Sequence, residues 1–156
     1  MKLLIDWYRP IRLNSAGKNT VGYTLNLEKI PTRAGIYIFG RRWGTQYEAL
    51  YVGKAGKIRG RVRTHFNNLK LMQHLRDAKS GTRFLLVGGL IRRQGQDLEK
   101  CLRLAERAMI RHFLSEGHDL VNKSGTRLRR HELRADGSYP KRFFPREVFL
   151  ESAKGE

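Results

Sequence analysis

The chain has 156 residues, which is enough for one domain with a modest hydrophobic core. Its 32 Lys and Arg residues outnumber 14 Asp and Glu residues, and a net charge of +18 predicts a polyanionic partner such as nucleic acid. The single cysteine, Cys101, excludes a disulfide within the chain and a multi-cysteine zinc site, and no apolar run approaches the ~18 residues of a membrane helix.

Charge by itself does not identify a function. The same imbalance is typical of ribosomal and nucleoid proteins and, less often, of proteins that bind heparin-like polymers or membrane surfaces. Electrostatic attraction supplies affinity for phosphate but carries no sequence information.

The first 33 residues are predicted to form an extension. Residues 7–13 and 23–27 favour strands or extended arms, and a region rich in Gly, Asn and Ser separates them at 14–20. Residues 1–7 are too short and too polar for a signal peptide, so the protein is predicted to be cytoplasmic.

A β-hairpin and a helix are predicted next. Residues 35–40 and 47–52 are rich in β-forming side chains, and a six-residue polar loop at 41–46 joins them. After a glycine-rich connection, apolar residues recur every three or four positions from Ile58 to Leu69, which indicates a helix.

The following segment alternates between helix and strand. Residues 70–79 favour a second helix, residues 83–91 a buried strand, and residues 97–116 a long helix. Asp97 is the predicted N-cap of the long helix, and Gly117 follows its end. This order of elements predicts an α+β protein.

Five short sequence motifs, taken in their order along the chain, contain residues that could form a catalytic site. They are Gly35-Ile36-Tyr37, Tyr51-Val52-Gly53, Arg61, Glu106 and Asn122. This ordered set resembles the GIY-YIG nuclease superfamily, with valine in place of the middle isoleucine of the second triplet.

The resemblance covers about residues 34–125. It implies a GIY-YIG-like nuclease domain there, with a small three-stranded antiparallel sheet flanked by helices. Residues 1–33 would then be an N-terminal extension, and residues 126–156 a basic C-terminal extension.

Glu106 is predicted to lie on or near the apolar stripe of the long helix. A carboxylate in such a place is costly unless it reaches water, pairs with a cation such as Arg103 or Arg107, or binds a metal. The resemblance implies the last of these, with Glu106 as the ligand of Mg²⁺ or Mn²⁺, the hard cations that carboxylate oxygens suit.

Tyr37 and Tyr51 lie on the two strands of the predicted hairpin, either as core aromatics or as catalytic hydroxyls. The resemblance implies that both tyrosine side chains point into the active-site cleft. We expect Tyr37 to be the general base, with its pKa lowered by neighbouring cations and with Lys54 and His65 as supporting groups. Tyr51 would position water or phosphate, although the sequence leaves open which tyrosine is the base.

Arg61 and His65 are four residues apart, so they are predicted to share a helix face distinct from the apolar one. Arg61 is either a solvated surface charge or the group that stabilises the phosphoryl charge in the transition state. Asn122 is either a turn former or, as the resemblance implies, part of the phosphate or metal shell.

The predicted site therefore has two parts. The catalytic residues are Tyr37, Tyr51, Lys54, Arg61, His65 and Glu106, with Glu106 also the metal ligand. The nucleic-acid contacts are Gly53, Lys57, Arg59, Arg63, Asn122, Lys123, Arg127, Arg129 and Arg130.

The sequence thus predicts a Mg²⁺- or Mn²⁺-dependent DNA endonuclease with a single-metal site and no membrane partner. Two alternatives remain, a basic nucleic-acid-binding module that does not cut and a nuclease that acts on RNA. The strandedness of the DNA is not resolved. A homodimer is possible, because one active site cuts both strands only as a dimer or in two successive nicks.

Overall fold

The computed structural model describes residues 1–17, 22–121, 128–140, 142–143 and 145–153. Within these residues the strands are β1 (Leu4–Trp7), β2 (Ile11–Arg12), β3 (Asn14–Ser15), β4 (Tyr23–Thr24), β5 (Gly35–Trp43), β6 (Gln46–Ala55), β7 (Thr82–Ile91), β8 (Leu128–Arg134) and β9 (Glu147–Ala153). The helices are α1 (Ile58–His65), α2 (Leu69–Asp77) and α3 (Leu98–Ser115), with a 3₁₀ turn at Leu27–Lys29. The predicted α+β class is confirmed.

The central hairpin, β5–β6, is longer than the sequence indicated. Its strands run through the predicted loop and reverse at a tight turn in which Gly44 has φ +58°. Arg41 explains the extension, because its Nε donates to Glu48 Oε1 across the hairpin at 2.9 Å and its guanidinium lies 3.7 Å from the Trp43 ring centroid. The prediction of a six-residue loop at 41–46 is therefore wrong.

The main sheet has five strands, so the predicted number of three is also wrong. The three predicted strands are present in the antiparallel order β7-β5-β6, and β1 and β2 pair in succession with the other edge of β7. The Tyr8 N–H also donates to the Val87 carbonyl at 2.9 Å between these two short strands. An edge strand as long as β7 exposes many backbone donors and acceptors, and the N-terminal segment satisfies them.

Helices cover both faces of this sheet. Because side chains alternate along a strand, Tyr37 and Phe39 pack on one face with α1 and α2, which we call the α1 face. Ile36 and Ile38 pack on the opposite face against Ala105 and its neighbours in α3, which we call the α3 face. The strand β6 lies at the outer edge of the sheet, between these two layers.

The three predicted helices are present, although the first ends at His65 and does not continue to Leu69, and the predicted cap residues of α3 are confirmed. Asn68 Oδ1 accepts from the Leu71 N–H at 3.1 Å at the start of α2, and Asp97 Oδ1 accepts from the Lys100 N–H at 2.7 Å at the start of α3. Gly117 follows α3 with φ +87°, a conformation that favours glycine.

Two smaller pairs of strands complete the described chain, β3–β4 and β8–β9. Strand β9 packs against α3. None of the helices in the described residues has the length and apolar character needed to cross a bilayer.

Candidate active site

Two tyrosines stack beneath α1. Tyr37 and Tyr51 share the α1 face because Tyr37 pairs with Gly53 and Phe39 pairs with Tyr51. The two tyrosine ring centroids are 6.1 Å apart with an interplanar angle of 21°. A Cβ added at Gly53 would overlap the Tyr37 hydroxyl oxygen, so the glycine makes room for this ring.

His65 completes this cluster. Its Nε2 lies 2.6 Å from the Tyr37 hydroxyl oxygen, and its ring centroid lies 4.9 Å from that of Tyr51. The sequence placed His65 on the polar face of the helix with Arg61. That placement is wrong, because His65 is only 5% exposed and faces the sheet, whereas Arg61 is exposed. The aromatic rings of the sheet supply a surface that a half-apolar imidazole can cover.

The protonation states in this cluster follow from its burial. Burial, together with a smaller effect of the Arg61 positive charge, lowers the pKa of His65 to about 4. A neutral imidazole whose Nε2 carries no proton can accept the Tyr37 hydroxyl proton. At neutral pH we therefore assign Tyr37 as the donor and His65 as the acceptor.

The pKa of Tyr37 moves in the direction opposite to our expectation. Burial raises it, and the nearby Tyr51 raises it further, while hydrogen bonding and charge from Arg61 oppose the shift. Lys54, expected to lower this pKa, pairs with Ile36 and so belongs to the α3 face, where its Nζ lies 2.5 Å from Glu99 Oε1. Tyr37 is thus a neutral phenol at physiological pH.

Arg61 links the two layers electrostatically. Its positive charge lowers the pKa of Tyr37, Tyr51 and His65 on the α1 face, and also that of Glu106 on α3. The Arg61 side chain is exposed at the same time, so a ligand can reach it. Among the described cations, Arg61 is the one whose charge lowers the pKa of all four of these groups.

Glu106 approaches the same edge from the other layer. Burial raises the pKa of this half-buried carboxyl, while the Lys54 charge, a hydrogen bond from the Lys54 backbone and the Arg61 charge oppose the rise. The negative charge of Glu106 in turn raises the pKa of Tyr51. The two tyrosines, Arg61 and Glu106 therefore meet around the edge strand β6, although they come from opposite faces of the sheet.

This donor set can be tested against a divalent cation. The described residues contain no group of three or more His, Cys, Asp or Glu side chains that could enclose a metal. Mg²⁺ commonly uses only one or two carboxylates, keeps several waters and takes further oxygens from substrate phosphate. A single half-buried Glu106 carboxylate beside an exposed, basic edge fits that mode of binding.

The predicted nucleic-acid contacts are spread over several environments. Lys57 and Arg63 are exposed at the two ends of α1. Arg59 has a structural task, since its Nε donates to the Ile30 carbonyl at 2.7 Å and its Nη2 donates to the Glu28 carbonyl at 3.3 Å. These two bonds tie α1 to the 3₁₀ turn.

The remaining predicted contacts divide into three groups. Gly53 is buried beside Tyr37. Arg129 and Arg130 lie on β8, where their backbones pair with β9. Asn122, Lys123 and Arg127 lie outside the described residues.

Glu99 is a member of the site that the sequence analysis missed. It is seven residues before Glu106, two helical turns away on the same face of α3, and it raises the pKa of Glu106 by charge repulsion. It also holds Lys54 in an ion pair. The seven-residue spacing was the available signal, since it places both carboxylates on one helix stripe.

Comparison with known proteins gave no match to a protein-family model, to a curated protein or to a solved structure.

His65 predicts a pH dependence of stability. Its pKa is about 4 in the folded chain against an ordinary 6.5, so the unfolded chain takes up a proton first as pH falls. The free energy of unfolding therefore falls as the pH falls from 6.5 toward 4. Between pH 7 and pH 5 the contribution of His65 to this loss is about 2 kcal/mol. Urea unfolding of wild type and His65→Gln at several pH values measures it, and the variant should lose less. Equal losses in the two proteins would contradict the assignment of a neutral, buried His65.

Proposed function

We propose that the protein is a divalent-metal-dependent endonuclease that hydrolyses phosphodiester bonds of DNA, with a GIY-YIG-like domain built on β5, β6, β7, α1 and α3. One observation carries the proposal. At the outer edge of β6 the fold brings together stacked tyrosines, a neutral imidazole, an exposed guanidinium and a half-buried carboxylate. The net charge of +18 favours a polyanionic substrate for such a site.

The tyrosine–histidine chain supplies a route for the proton of the attacking water. Tyr37 is 0% exposed and Tyr51 is half-buried, so Tyr51 is the tyrosine nearer to solvent and the first member of the proposed route. The two tyrosine rings are stacked with centroids 6.1 Å apart, and the Tyr37 hydroxyl oxygen lies 2.6 Å from His65 Nε2. As water attacks phosphorus, its proton passes to Tyr51, the Tyr51 proton to Tyr37 and the Tyr37 proton to His65. The imidazole thus gains one positive charge, and neither tyrosine need become a phenolate.

Arg61 and Glu106 act on the phosphate. The Arg61 guanidinium binds phosphoryl oxygens in a fork and stabilises the charge that builds on them during in-line displacement of the leaving oxygen. Glu106 would hold Mg²⁺ or Mn²⁺, which supplies positive charge to the phosphate and the leaving oxygen. No covalent intermediate with the protein is required.

A second function is favoured by one feature of the same cluster. Tyr37 is fully buried and its hydroxyl is satisfied by His65, which is also what a purely structural pair looks like. A basic nucleic-acid-binding module that does not cut would share this core. The roles given to Arg61 and Glu106 are what separate the two functions, because a module needs neither a half-buried carboxylate nor a metal.

A cleavage assay tests the proposal. Wild type with Mg²⁺ should cut one or more of four substrates, namely supercoiled plasmid, linear duplex, single-stranded DNA and RNA. Glu106→Gln, or EDTA added to the wild type, should lower the rate at least ~100-fold, because metal binding and charge stabilisation are removed. Glu116→Gln removes an exposed carboxylate at the end of the same helix and is the matched control. Nucleic-acid binding should be retained in both variants.

Each other outcome has a defined meaning. Undiminished cleavage by Glu106→Gln would remove the carboxylate from the mechanism and refute the proposed site. Tight binding with no cleavage of any substrate would identify the non-cutting module. Cleavage of RNA alone would keep the chemistry and change the substrate.

A further inference from the structure

A concave pocket lies where the chain passes from β1 to β2, on the side of β7 that faces away from β5. It has a volume of about 560 Å³, within the usual range for small-molecule sites. Its lining includes Tyr8, Arg9, Pro10, Ile11, Arg12 and Lys29. None of the roles proposed above uses these residues.

Among the described residues, the cations of this pocket have no anionic partner. The side chains of Arg9, Arg12 and Lys29 form no hydrogen bond or ion pair with any residue that the structure describes. No carboxylate of the described residues lines the pocket. Three positive side chains around one concavity repel one another, and a bound phosphate would relieve that repulsion.

Tyr8 gives the pocket an aromatic wall in a defined position. Its backbone N–H donates to Val87, and its hydroxyl accepts from Arg33 Nη1 at 3.3 Å. Arg33 is itself held, since its Nη2 donates to the Leu90 carbonyl at 3.3 Å. Tyr8 remains 39% exposed while it makes these hydrogen bonds, so the residue is accessible to a ligand.

The pocket is also connected to the helix that carries Arg61. Lys29 belongs to the 3₁₀ turn, and Arg59 of α1 donates to carbonyls on either side of Lys29, at Glu28 and Ile30. The pocket cation Lys29 is therefore held in a fixed position relative to α1.

We propose that this pocket binds one unpaired nucleotide of the substrate strand. Arg9, Arg12 and Lys29 hold its phosphate, and Tyr8 stacks on its base. The inference rests on the proposed function and narrows it to single-stranded or locally unpaired nucleic acid. The chemistry favours an unpaired nucleotide, because an exposed aromatic side chain among the cations that line a concave pocket suits a base that has left the helical stack.

Binding measured without metal tests the pocket. Fluorescence anisotropy in EDTA would compare a short labelled single strand with a duplex of the same length, over a range of salt. Arg9→Ala/Arg12→Ala should raise the Kd for the single strand by about tenfold and reduce the salt slope by about 0.7 for each phosphate that is no longer neutralised. Tyr8→Ala should raise that Kd by about tenfold with little change in salt slope, because stacking carries no counterion release.

The control removes the same charge elsewhere. Arg103→Ala/Arg111→Ala deletes two exposed arginines from α3, on the opposite face of the sheet, and should change the Kd by less than about twofold. Thermal unfolding checks that every variant remains folded. Substitution of Tyr8, Arg9 and Arg12 should be tolerated, since all three are exposed.

The outcomes separate this inference from the nuclease proposal. If Arg9→Ala/Arg12→Ala binds the single strand as tightly as the wild type does, the pocket is not a nucleotide-binding site, whether or not the wild type cuts. Equal reductions in affinity for single strand and duplex would refute the proposal that the bound nucleotide is unpaired. Displacement of the strand by micromolar inorganic phosphate would refute it as well. If the wild type never cuts and the Arg9→Ala/Arg12→Ala variant binds the single strand more weakly, the nucleotide-binding role of the pocket is supported and the nuclease proposal is refuted.

Discussion

Replacement of Arg61 by alanine should lower the single-turnover cleavage rate by about three orders of magnitude, the scale on which an arginine that stabilises a phosphoryl transition state acts. Arg61 is exposed, yet its charge reaches Tyr37, Tyr51, His65 and Glu106. Binding of nucleic acid should weaken far less, because a chain with a net charge of +18 neutralises many phosphates and Arg61 neutralises only one of them.

Two comparisons make this result specific. Arg61→Lys keeps the charge but not the fork, so it should recover part of the rate. Arg76→Ala removes an exposed arginine from α2 and should cut at nearly the wild-type rate. If Arg61→Ala and Arg76→Ala cut equally well, Arg61 has no part in the chemistry.

The same variant has a second readout that does not depend on cleavage. Because the Arg61 charge lowers the pKa of His65, its removal should raise that pKa toward the ordinary value. Stability should then fall less steeply between pH 7 and 5 than it does in the wild type. An unchanged slope would show that the two side chains are not electrostatically coupled.

Gly35→Ala should lower the free energy of unfolding by about 3 kcal/mol, at the upper end of the usual cost of overpacking. A Cβ at this position would overlap the Gly88 carbonyl oxygen and lie 2.9 Å from Ile58 Cδ1. The overlap is with backbone of the neighbouring strand, so relief requires β5 and β7 to separate. For a domain whose total stability is about 5–15 kcal/mol, such a reduction is large.

Gly60→Ala is the matched control for Gly35→Ala. Gly60 lies within α1, and an added Cβ has no atom within 4 Å, so alanine should stabilise the helix by about 0.5–1 kcal/mol. Urea unfolding of both variants measures the difference. A Gly35→Ala protein as stable as the wild type would show that β5 and β7 do not approach as closely as described.

Local patterns were sufficient to predict most of the described fold. The period of apolar residues located α1, α2 and α3, and Asp97 and Gly117 marked the ends of the last of these. The segments predicted as strands or extended arms at 7–13 and 23–27 contain β2 and β4, but the pairing of the extra strands with β7 could not be found in this way. Leu4 pairs with Ile91, more than eighty residues away, and a strand of two to four residues carries too short a pattern to indicate its partner.

The resemblance to the GIY-YIG superfamily singled out Tyr37, Tyr51, Arg61 and Glu106 as a set. The fold brings these four residues together around strand β6. His65 turns inward because it lies seven residues after Ile58 and three after Val62, both of which are buried in α1. The sequence carried this spacing, and grouping His65 with Arg61 on a polar face neglected it. The lowered pKa expected for Tyr37 was wrong because burial beneath α1, which local spacing does not show, raises it.

The candidate groups are supplied by two layers on opposite faces of the sheet that approach each other around β6, and this has a consequence for partly unfolded states. If α3 detaches from the sheet while β5, β6 and α1 remain together, the chain keeps Arg61 and the Tyr37–His65 hydrogen bond but loses Glu106. Such a state would still bind nucleic acid and would not cut it. Cleavage would therefore report the fraction of molecules in which α3 is docked, and hydrogen exchange of α3 amides should follow the decline of activity as denaturant is added.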